Sequence, residues 1–220
     1  MKKIMILILL AFLLWTVMFS PWTAPFVPFW WMMTFSAFTL TVLSSIVSPG
    51  WWKCVRWSVS NLLFGIVIAV VLWCVFWVGD KASTWLFDFA RPQVNLIYGM
   101  KEGESPWLLS CLLLFLIGPA EEIFWRGYVQ ETFSKKFSPN TGFILATACY
   151  TLVHIASFNF MLIMASMVCG LAWGLLYRFF PQRFSAIILS HALWDAAVFV
   201  WFPIWWGLIS PVGLIGPIVL

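Results

Sequence analysis

The chain has 220 residues, of which 63% are hydrophobic and only 9% charged, with 17 Trp and 22 Phe. A soluble domain is roughly a quarter charged and under half apolar, so this composition excludes a single water-facing globule and suits helices that face lipid. The net charge of +4 is scattered in pairs and builds no contiguous patch, which argues against nucleic acid as a partner.

Taking a membrane span as about twenty mostly apolar residues, the sequence predicts an all-α polytopic bundle of about eight spans. They cover 4–20, 26–48, 57–78, 106–134, 140–157, 160–177, 185–200 and 203–219. Lys2 and Lys3 before the apolar run Ile4 to Phe19 have the look of a secretory signal. The following Ser20 to Pro25 offers no pair of small residues for cleavage, so a retained first span is expected. Breaks are expected at Pro21 and Pro25, Ser48-Pro49-Gly50, Gly79-Asp80, Ser138-Pro139-Asn140, Pro181 and Pro203. The connection from Gly79 to Ser105 mixes Asp80, Asp88, Glu102 and Glu104 with Trp85, Leu86, Phe87, Phe89 and Ile97, the pattern of an amphipathic segment on the outer face.

With this count, Lys2, Lys3, Lys53, Arg56, Lys135, Lys136, Arg178 and Arg183 fall on one side, against Lys81, Arg91 and Lys101 on the other. The positive-inside rule then places both termini in the cytoplasm. No unit repeats, so one integrated membrane domain is expected, with N-terminal helices over 1–104, a core over 105–200 and a last helix over 201–220. Cys54, Cys74, Cys111, Cys149 and Cys169 sit mostly among apolar neighbours without CxxC spacing, and read as small apolar side chains.

Ionisable groups within spans cost several kcal/mol, about 2.5 to 3.5 on insertion scales, unless they face a polar interior. The fourth span nevertheless holds Glu121, Glu122 and Arg126 just after Gly118-Pro119, whose missing N–H frees an upstream carbonyl and implies a wet cavity. Glu122 and Arg126 are four apart and can pair on one helical face, while Glu121 points about 100° away. The three divide naturally into a supporting ion pair and a carboxylate facing the cavity, although a purely structural role for all three is also compatible with these residues alone.

The chain has only two histidines. His154 stands one turn after Tyr150, and His191 stands four residues before Asp195, which puts imidazole and carboxyl on one face. A desolvated carboxyl can act as general base, one His can orient the water and another can donate to an oxyanion. The same groups would also suit zinc or manganese, although no HExxH and no cysteine pair accompanies them. The GxSG of rhomboid-like proteases and the GxGD of presenilin-like ones are both missing.

These motifs resemble the CAAX-protease and bacteriocin-processing family, also called the Abi family or type II CAAX prenyl endopeptidases. EExxxR is Glu121 to Arg126, FxxxH is Tyr150 to His154 with Tyr for Phe, and HxxxN or HxxxD is His191 to Asp195, in the family's order over roughly 105–200. The resemblance implies an eight-helix, glutamate-type intramembrane protease without a cofactor or metal. Glu121 and His154 would activate water, His191 and Asp195 would stabilise the oxyanion, and Glu122 and Arg126 would support them. Tyr150, Trp125 and Trp194 are candidates for the substrate cavity. Asp195 departs from the Asn of the well-described prenyl proteases, since an ionised Asp would repel an oxyanion; it is expected to be protonated or to orient His191.

The expected substrate is a membrane-anchored or lipid-linked protein or peptide, and the expected location a bacterial inner membrane. The rival readings are a non-catalytic binding, immunity or assembly factor using the same cavity, and a proton-coupled transporter. The transporter is disfavoured by the lack of paired broken helices.

Overall fold

The computed structural model describes residues 1–204. It is an all-helical bundle, as the apolar spans require, and the protein is an integral, multi-pass membrane protein. Helix α1 covers Lys2–Phe19, α2 Phe29–Val47, α3 Val59–Leu86 and α4 Ala90–Gly99. The long helix α5 runs Pro106–Lys136, followed by α6 Pro139–Leu152, α7 Phe160–Phe179 and α8 Pro181–Trp201. Six of these, all except α4 and α6, are long and apolar enough to cross a membrane. All but the first two residues of the expected last span, 203–219, lie outside the described residues.

Local sequence explains where the helices begin. Ser58, Ser105, Ser138 and Asn159 cap α3, α5, α6 and α7 by accepting the N–H of the residue three positions on. Pro106 and Pro139 then occupy first helical positions, where a missing N–H costs nothing. The bundle is centred on α5 and α8, which bury more than half of their apolar stretches, whereas α3 buries less than a fifth of its own. Accordingly α3 shows Leu63, Ile66, Val67, Val70 and Val71 on its outside, an apolar face suited to lipid.

The expected break at Gly79-Asp80 is not one. Helix α3 continues through it for two more turns, because the Asp80 carbonyl and one oxygen of its carboxylate find partners within the helix and on α4. Asp80 accepts from Arg91 at 2.8 Å, while its carbonyl accepts from the Thr84 and Ser83 hydroxyls. The expected surface segment is also more deeply integrated. The Gln93 side chain on α4 accepts from Met161 N and its backbone carbonyl accepts from Asn159 Nδ2, which fastens α4 across the start of α7.

Close helix contacts set the register of the core. A Cβ on Gly118 would lie 2.8 Å from Ala192 Cα and 2.9 Å from Ala192 N, so α5 and α8 touch backbone to backbone one residue from His191. Replacing Gly118 with Ala should therefore destabilise the protein by about 1–3 kcal/mol, because backbone cannot swing aside as a side chain does. Unfolding in detergent checks this, and a melting point equal to the wild type would contradict the packing. Gly174 gives α7 the same closeness to α6, where a Cβ would meet the Phe143 ring at 2.9 Å.

Candidate active site

The two adjacent glutamates meet different surroundings, set by the helix turn between them. Glu122 is fully buried, and its Oε1 accepts from Arg126 at 2.9 Å and from His191 Nδ1 at 2.7 Å. Arg126 is held in turn by Cys169 O at 3.3 Å and lies over the rings of Tyr150 and Trp173, at 4.8 and 5.6 Å. The guanidinium thus bridges α5, α6 and α7 with its charge matched by Glu122. Glu121 turns the other way, into a cavity of about 370 Å³, where its Oε2 accepts from Tyr150 Oη at 3.0 Å. Its Oε1 takes no hydrogen bond from the described residues.

The helix that carries these residues is not uniformly α. It widens into π-helical turns over Leu113–Ile117 and again over Ile123–Gln130, on either side of Pro119 and the glutamates. Proline removes one donor from the ladder and π turns rearrange the carbonyls around it, a combination frequent at functional sites. Thr41 on α2 approaches the Ala120 carbonyl with its hydroxyl at 3.4 Å, so a neighbouring helix helps to satisfy this stretch.

His191 stacks on Trp173 with ring centroids 3.7 Å apart. Trp173 is itself pinned by its indole N–H to Ser190 Oγ at 3.0 Å. The Nε2 of His191 faces Asp195 Oδ2 at 3.4 Å, longer than a well-formed hydrogen bond but within ion-pair range. Each nitrogen of this imidazole therefore addresses one carboxyl group.

His154 lies beyond the helix that was expected to carry it, since α6 ends at Leu152 and the histidine sits in the following turn. Its Nδ1 is 2.8 Å from Tyr150 O, and its Nε2 accepts from the Trp15 indole at 3.2 Å. All four imidazole nitrogens thus face protein groups. Among the described residues, no cluster of three or more His, Cys, Asp or Glu is arranged to hold a metal.

The cavity wall includes Glu121, Tyr150, His154, His191, Trp194 and Asp195, so every expected catalytic residue reaches one space. Phe19, Phe29, Met33 and Asp80 from the N-terminal helices contribute to it, together with Val94, Ile97 and Tyr98 of α4 and the N-terminal half of α7. Trp125 is a correction. It packs behind Tyr150, ring centroids 5.4 Å apart, and against Trp15, and is not part of the wall. Trp15 and Trp173, in contrast, were not singled out by sequence. Their spacing marks them only as buried faces of apolar helices, and nothing local says which polar group each meets.

Residues 103–197 match the family model described as type II CAAX prenyl endopeptidase Rce1-like. Over this stretch the chain is similar to the Rce1-like family. The matched stretch begins just ahead of α5 and ends in α8, so it contains Glu121, Glu122, Arg126, Tyr150, His154, His191 and Asp195. No curated protein and no solved structure matches the chain. A Rce1-like core inside a multi-pass helical bundle supports an intramembrane protease of the CAAX type.

Proposed function

We propose that this protein is an intramembrane endopeptidase that hydrolyses a peptide bond near the membrane in a membrane-anchored or lipid-linked protein or peptide, using water activated by Glu121. The observation that carries the reading is the division of labour between neighbouring carboxylates. Glu122 is held through one oxygen by both Arg126 and His191 and its other oxygen is sealed in the protein interior away from the cavity, whereas Glu121 presents an oxygen without a protein partner at the wall of a largely apolar cavity. Phe19, Phe29, Met33, Phe76 and Ile117 give that cavity the character to take an apolar segment or lipid chain. The Rce1-like core supports the same assignment.

In this mechanism, a water on the free oxygen of Glu121 attacks the scissile carbonyl and gives its proton to the carboxylate. His154 helps to orient that water. The carbonyl electrons move to oxygen, and the Nε2–H of His191, only loosely engaged by Asp195 at 3.4 Å, turns to stabilise the oxyanion while Nδ1 stays on Glu122. Collapse breaks the C–N bond, and the proton held by Glu121 passes to the leaving amine. Asp195 serves His191 by facing its Nε2, instead of addressing the oxyanion directly. The N-terminal helices 1–104 add walls to the core over 105–200. The distribution of Lys and Arg favours cytoplasmic termini.

The test is cleavage of a membrane-anchored peptide by purified protein in lipid nanodiscs. His191→Ala should lose activity, whereas Asp195→Asn should stay within about tenfold of the wild type, since an amide still hydrogen-bonds the imidazole and carries no repelling charge. Loss of turnover in Asp195→Asn equal to that of His191→Ala would contradict the assigned role of Asp195.

A further inference from the structure

His154 is placed by two partners that leave no choice of tautomer. The Tyr150 carbonyl can only accept, so Nδ1, 2.8 Å away, carries the proton. The Trp15 indole can only donate, so Nε2, 3.2 Å away, is the lone-pair nitrogen. Both side chains are buried, at 1% and 6% exposure, and their rings meet edge to face at 6.3 Å. Phe19, one turn further along α1, also contacts the imidazole, at 5.4 Å. A neutral imidazole has one acceptor site, and here a residue of the first helix, far outside the matched 103–197 stretch, already occupies it.

We infer that Trp15 is a positioning residue that controls His154, its indole N–H fixing the imidazole and withholding the Nε2 lone pair from water until the indole yields it. The inference rests on the protease reading, because it concerns the water that His154 would orient. It adds that the first helix sets the resting state of the site. Arrival of substrate between α1 and the core would exchange the indole for the nucleophilic water at Nε2.

The test compares the wild type with Trp15→Phe, which keeps an aromatic ring beside Trp125 and His154 but lacks the donor. A second variant carries benzothienylalanine at position 15, which preserves the bicyclic shape and also lacks the N–H, so a packing defect in the first variant does not decide the matter. With only two histidines in the chain, ¹⁵N-histidine labelling resolves the ring nitrogens of each, and His154→Ala assigns them. The expected result in both variants is a moved His154 Nε2 resonance with Nδ1 still protonated. Turnover of the membrane-anchored peptide should rise about 2- to 10-fold, the factor that corresponds to losing one competing hydrogen bond of ordinary strength. An Nε2 resonance unchanged from the wild type overturns the contact. A moved resonance with equal or lower turnover in both variants overturns the withholding role. A wild type that cleaves nothing defeats the protease reading, and the resonance then decides the contact independently.

Discussion

Glu121→Gln should abolish proteolysis, with a loss of at least about 10²–10⁴-fold, the range for removing a general base. The substitution keeps the shape of the side chain and an oxygen that accepts from Tyr150 Oη, now 3.0 Å from Oε2. What it removes is the second basic oxygen, the one without a protein partner on the cavity wall. Thermal unfolding should therefore stay close to the wild type while cleavage disappears. This pairing separates a catalytic carboxylate from a structural one, since a carboxylate needed only for folding would lower stability and activity together. Activity retained in a well-folded Glu121→Gln protein would count against water activation at this position.

The opposite pattern is expected one helix turn away. Arg126→Ala should cost about 3–5 kcal/mol of stability, because it strips the cation from a carboxylate with no exposed surface. Glu122 would be left with His191 alone, and Cys169 O would lose a donor. The Tyr150 and Trp173 rings, over which the guanidinium lies, would border a void between α5, α6 and α7. Arg126→Lys should recover only part of this loss, since an ammonium cannot reproduce the planar fork that serves both Glu122 and Cys169 O. Chemical unfolding of the purified variants in detergent measures the difference, and wild-type stability in Arg126→Ala would show that the pair carries little of the core.

What could be read from the sequence was local. The four-residue spacing of Glu122 and Arg126, and of His191 and Asp195, predicted pairs that the helix geometry delivers, at 2.9 and 3.4 Å. The opposed directions of Glu121 and Glu122 followed from the same rotation per residue. Contacts across the bundle were not legible, because they depend on helix register. Nothing near His191 announced that Glu122, 69 residues earlier, would accept from its Nδ1, or near His154 that Trp15, 139 residues away, would hold its Nε2. The false break at Gly79-Asp80 has the same origin. A Gly-Asp pair reads as a turn until Arg91 arrives from α4 to take the carboxylate. Trp125 was expected at the cavity because it lies among the charged residues in sequence, whereas its side of the helix faces Trp15 and Tyr150.

The central claim is that this Rce1-like core hydrolyses a peptide bond with water held at Glu121, and its most direct test is isotopic. The purified protein in nanodiscs is given a membrane-anchored peptide in H₂¹⁸O, and the products are analysed by mass spectrometry beside the Glu121→Gln variant. The expected outcome is a product with a new carboxyl terminus carrying one ¹⁸O, formed by the wild type and not by the variant. Equal amounts of labelled product from both proteins, or no cleavage by the wild type of any of a panel of prenylated, acylated and membrane-spanning peptides, would contradict it.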